Sequence, residues 1–87
     1  MKPTNKEELI SYLQKFPKVF CKHYHKDLES ILTYEHSNLP GGLIFTDEQG
    51  KTRFTPCFCA HASVKYLSTM FEITVSGTTI QYIYLEN

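Results

Sequence analysis

The sequence predicts an α+β domain in which one N-terminal helix packs on a hairpin-rich antiparallel sheet of four to six strands. A capped segment with helical periodicity opens the chain. Short runs of β-branched and aromatic residues follow, separated by Gly, Pro, Asn and Asp. These runs succeed one another without intervening helical patterns, the order of an α+β fold rather than of βαβ units. The whole chain of 87 residues is read as a single small domain.

The helix is predicted over 5–15. Thr4 followed by Glu7 has the spacing of a capping box, and Glu7 and Glu8 suit the positive end of the helix dipole. Leu9, Leu13 and Phe16 form one stripe, and Pro17 stops the helix behind them. Residues 19–24 read as extended. Over 26–36 two readings stand: a short helix capped by Asp27, or a strand about Ile31–Tyr34, which Thr33 and Tyr34 favour.

Two hairpins come next. A tetrapeptide turn at 47–50 pairs Thr46 with Lys51. That register gathers Leu43, Phe45, Phe54 and Phe58 on one face, and Ile44, Arg53, Thr55 and Cys57 on the other. Pro56 ends the strand or confines it to an edge. Residues 60–69 fit a second short helix as well as a strand. The last hairpin turns at Ser76-Gly77 and sets Val75 opposite Thr78, Ile73 opposite Ile80 and Phe71 opposite Tyr82. A slip of one residue would scatter those large side chains over both faces, so the register is strongly specified.

Composition narrows function. Nine basic residues balance nine acidic ones, which argues against a charged tail and against non-specific nucleic-acid binding. The balance is uneven along the chain. Residues 1–26 carry six lysines against two glutamates, and 27–87 carry three basic residues against seven acidic ones. No apolar run is long enough for a membrane helix, and the N-terminus lacks the apolar stretch of a secretory signal. Three cysteines are an odd, sparse set, so a reducing, cytoplasmic setting is expected. No nucleotide-binding, nucleophile-elbow or zinc-protease motif is present.

Two triplets share one spacing: Cys21-x-His23-x-His25 and Cys57-x-Cys59-x-His61. On extended chain each falls on a single face, and two such strands side by side would supply a tetrahedral zinc site. Neither has the CxxC spacing of the usual structural sites, so zinc is the alternative reading. A third reading is a small enzyme with Cys57 or Cys21 as nucleophile, a His as base, and Asp27 or Asn38 as orienting group. The leading reading is a non-enzymatic protein that binds another macromolecule, of the inhibitor, immunity or adaptor type that phages and mobile elements also encode. No catalytic residue is assigned. Tyr24 and the basic Lys18, Lys22 and Lys26 are the expected contacts, facing an acidic partner surface.

Overall fold

The computed structural model describes residues 2–23, 29–36 and 41–85. Helix α1 (Lys6–Lys15) is followed by β1 (Lys18–His23), β2 (Glu29–Glu35), β3 (Leu43–Thr46), β4 (Thr52–Thr55), β5 (Ala62–Tyr66), β6 (Met70–Val75) and β7 (Thr78–Tyr84). The strands form one antiparallel sheet of seven, in the order β4-β3-β2-β1-β7-β6-β5. The expected helix on a sheet of four to six strands is therefore corrected. Among the described residues the fold is mostly β, a curled half-barrel with one short helix, because the described parts of both open readings, 26–36 and 60–69, contribute strands. Residues 29–35 and 62–66 join the sheet, and no second helix forms over 60–69.

The helix begins one residue later than the sequence implies. Asn5 is the N-cap, and its Oδ1 accepts from the Glu8 amide at 2.9 Å. Glu8, rather than Glu7, reaches back: its Oε1 accepts from the Thr4 amide at 2.8 Å and the Thr4 hydroxyl at 2.7 Å. Leu9 and Leu13 are fully buried, while Phe16 is partly covered and leans on Tyr12, ring centroids 5.1 Å apart.

The C-terminal hairpin keeps the expected register, Phe71 with Tyr82, Ile73 with Ile80 and Val75 with Thr78. Ser76 (φ 52°) and Gly77 (φ 78°) both take the left-handed conformation, whose twist matches the strands it joins. The first hairpin does not keep it. Thr46 pairs with Thr52 and Phe45 with Arg53. Asp47 makes the difference. Its Oδ1 accepts from the amides of Gln49 (3.0 Å) and Lys51 (2.8 Å), and its own amide donates to the Lys51 carbonyl (2.9 Å). The turn thus takes in Lys51, and β4 slips by one residue. The slip turns Arg53 and Thr55 to the same face as Leu43 and Phe45, and leaves Phe54 opposite Ile44 and 55% exposed.

The sheet curls into a trough. Phe45 on β3 and Tyr82 on β7 are three strand intervals apart, ~14 Å on a flat sheet. Their rings nevertheless stack at 5.8 Å, and Tyr82 stacks on its other side against Phe71 at 4.7 Å. Side chains from distant strands therefore meet across the concave face. Val19, Leu32, Tyr34, Leu43, Phe45, Phe71, Ile73, Tyr82 and Tyr84 form the core there, with Leu9 and Leu13 of the helix. Gly42 lets the wall close. A Cβ at that position would lie 1.7 Å from the Thr55 carbonyl oxygen, so only glycine permits β3 and β4 to approach as they do.

Candidate functional site

The helix covers one end of the trough. Tyr12 meets Tyr84 with ring centroids 4.9 Å apart, and Lys6 Nζ sits over the Phe58 ring at 4.6 Å. The other end is open, and a cavity of about 340 Å³ occupies it. Successive inward residues on β1 show why the helix half is dry and the open half polar: Val19 is buried, then come Cys21 and His23. On β2 the order is Tyr34, Leu32 and Ser30, and on β7 it is Tyr84, Tyr82 and Ile80. Leu32, Ile80 and the buried Tyr82 give the cavity its apolar floor. A larger hollow of about 500 Å³ runs beside the helix between Lys2-Pro3 and Lys15-Phe16, but it is a shallower surface groove.

Arg53 and Asp47 dominate the polar wall. Arg53 Nε donates to Asp47 Oδ2 at 3.2 Å, with the Arg53 side chain 48% exposed and that of Asp47 only 4%. The Lys51 amide, then the Gln49 amide and Arg53, hold the Asp47 carboxyl below the usual carboxylate range against the opposing effect of burial. Burial pushes the Cys21 thiol up to about 11, and the Arg53 charge only partly counters it. Burial also raises the Tyr82 hydroxyl well above an ordinary phenol. At neutral pH both groups keep their protons.

The sequence-predicted residues divide between regions. Cys21 and His23 line the cavity together. Cys57 is buried outside it, in the connection after β4, where its Sγ lies 3.5 Å from the Thr55 hydroxyl. Burial raises the Cys57 thiol too. Cys59 Sγ donates to the Pro56 carbonyl at 3.2 Å, and His61 is exposed. Residues 57–61 form turns, so the second triplet does not lie along a strand as expected. Among the described residues no three His, Cys, Asp or Glu side chains gather closely enough to hold a metal ion. Lys18 and Lys22 are exposed on β1, facing away from the trough, and Lys22 pairs in register with Glu29 on one side and Gln81 on the other. Tyr24, His25 and Lys26 lie outside the described residues, as do Asp27 and Asn38.

Arg53, Asp47, Ser30, Ile80 and Tyr82 are the cavity residues that sequence reasoning missed as a site. The signal for two of them was local. Asp47 stands two and four residues before Gln49 and Lys51, the spacing of an Asp-centred turn. Reading that turn correctly puts Arg53 on the Phe45 face. Comparison with protein-family models, with curated proteins and with solved structures found no match to this chain.

Proposed function

We propose that this protein works by binding another protein, and that a projecting group of the partner docks in the open half of the trough. One observation carries this reading: a cavity of about 340 Å³ already exists, with polar groups converging over an apolar floor, the usual anatomy of a binding site. The state of the thiols supports it. Cys21 faces the cavity but holds its proton up to about pH 11, and Cys57 is buried with its thiol also raised, whereas a nucleophilic cysteine needs a lowered pKa. The basic contact expected of Lys22 is weakened by Glu29 across the strand pair, which favours the trough over the outer face as the recognition surface. Inhibitor, immunity and adaptor roles all fit a domain that works in this way.

Blocking the cavity tests the reading. Ser30→Trp and Ile80→Trp fill it from two different strands, β2 and β7, while Lys65→Glu alters only the exposed face of β5. Tagged wild-type protein expressed in its source cells should retain a specific partner, identified by mass spectrometry. Both tryptophan variants, if folded by circular dichroism, should lose that partner and the Lys65 variant should keep it. Equal retention by all would place the interface elsewhere.

A further inference from the structure

Resting on the docking reading above, we propose that the group received by the cavity is a carboxylate on a short aliphatic stem, an acidic side chain or chain end of the partner, gripped by the Arg53 guanidinium.

The geometry of Arg53 is the starting point. Its Nε is engaged by Asp47 at 3.2 Å, which aims the guanidinium without occupying the terminal nitrogens. Those two nitrogens make no hydrogen bond to any described residue, and Arg53 lines the cavity. Their charge is felt across it by Cys21 and Tyr82. A guanidinium fork matches the two oxygens of a carboxylate, and a charge-assisted pair of this kind is roughly twice as strong as a neutral one.

The groups around it agree in polarity. The Tyr82 hydroxyl and the Cys21 thiol stay protonated through burial, so each presents a donor. Ser30 and His23 line the same space. The acidic groups of the cavity are Asp47, Glu29 and Glu48. Asp47 already accepts from two amides and from Arg53 itself. Glu29 and Glu48 are exposed, where water and salt screen them, and Glu29 stands opposite Lys22. An ammonium or guanidinium entering the site would face Arg53 and find no unpaired carboxylate in the interior. Leu32 and Ile80 then receive the stem that carries the acid.

The test uses the whole chain, labelled with ¹⁵N, and three probes of one size: butyrate, butyramide and butylammonium, at constant ionic strength and pH 7. Butyrate should give saturable shifts at the Arg53 Nε–Hε signal and at the amides of Cys21, Ser30 and Ile80. The other two should bind at least tenfold more weakly. Arg53→Gln should lose at least tenfold of the butyrate affinity, and Arg53→Lys should lose most of it because a single ammonium lacks the fork. Because Arg53 also supports the Asp47 turn, Ser30→Trp provides a second variant. It leaves that pair intact and should also abolish the butyrate shifts. Butyramide binding as well as butyrate, or an unchanged affinity in Arg53→Gln, overturns the inference. So do butyrate shifts confined to the outward lysines.

The two readings fail separately. Partner loss in the cavity-blocked variants without butyrate selectivity leaves docking standing and removes the carboxylate. Butyrate selectivity with undiminished partner retention removes docking and makes the site a receptor for a small free acid, which overturns the assignment to a partner's chain.

Discussion

The helix-filled and open halves of the trough are built on the same strands, yet they are finished in opposite ways. In the first, Leu9 and Leu13 are fully buried in one core cluster with Val19, Tyr34 and Tyr84. In the second, Cys21, His23, Ser30 and Arg53 stand where apolar side chains would have sealed the end. Length explains the boundary. A helix of ten residues is ~15 Å long, whereas the seven residues of β7 extend ~23 Å. One short helix cannot cover the whole trough. The inward rows of β1 and β2 answer with a gradient, apolar under the helix and polar beyond it, while β7 keeps Ile80 at the open end as part of the cavity floor. Stability and recognition are thereby separated within a single curled sheet: the filled half holds the fold together, and the open half is available to a ligand.

The largest expected effect breaks the filled half. Leu13→Ala should cost ~2–5 kcal/mol, since the side chain is fully buried. Ile80→Ala in the open half, where the side chain is only partly buried, should cost less than ~2 kcal/mol. Urea unfolding measures both, and equal costs would erase the distinction between the halves.

Thiol chemistry sharpens the open half. With its pKa near 11 instead of 9.0, Cys21 should react with iodoacetamide about tenfold more slowly than an ordinary thiol at neutral pH, the smaller thiolate fraction being partly offset by the greater nucleophilicity of a more basic thiolate. The rate should climb about tenfold per pH unit until that value is approached. A fast, pH-independent reaction at pH 7 would restore the nucleophile reading.

Carboxylates in the two halves should show the same sign of pH dependence. Glu8 is held below the usual carboxylate range by the Thr4 hydroxyl and then the Thr4 amide, and Asp47 by the Lys51 amide first. A depressed folded-state pKa means that each stabilises the fold fully above the ordinary value of ~4. That contribution is lost as pH falls through the lower folded-state value. Asp47→Asn should therefore lower the urea midpoint at pH 7 more than at pH 3, and Glu8→Gln should do so as well. A pH-independent loss would show that neutral hydrogen bonding, rather than charge, holds the turn and the cap.

The smallest effect concerns a flaw in the filled half. The Tyr84 hydroxyl is buried with no hydrogen-bond partner among the described residues. Removing it in Tyr84→Phe should be neutral or should stabilise by up to ~1 kcal/mol. A loss above ~1 kcal/mol in thermal or urea unfolding would mean that the hydroxyl is satisfied in solution.

Much of this was legible in the sequence, and the reason is locality. The helix follows from the Thr4–Glu7 capping pattern, the Leu9–Leu13–Phe16 stripe and Pro17, all within one short segment, although the cap itself falls one residue later, on Asn5 with Glu8. The C-terminal hairpin follows from Ser76-Gly77 and from period-two alternation on both sides, which together admit one register. The first hairpin lay at the limit of that logic. One side chain, Asp47, enlarged the turn by a residue and reversed every inward assignment on β4, Arg53 included.

What the sequence by itself determined, then, is the N-terminal helix, the hairpin segments and the register of the Ser76-Gly77 hairpin, whereas 26–36 and 60–69 stay open between helix and strand and the 47–50 turn reads one residue short. The tertiary structure alone decided that β1 would pair with both β2 and the distant β7, and that the sheet would curl until Phe45 reached Tyr82. It also decided which half of the trough the helix would fill. The physical reason is that alternation states only which side chains share a face. Neither the order of strands nor the curvature of a sheet has a local pattern, because both arise from contacts between residues far apart in the chain. The cavity with Arg53 is a product of that curvature, so its residues come together only once the sheet has closed on itself.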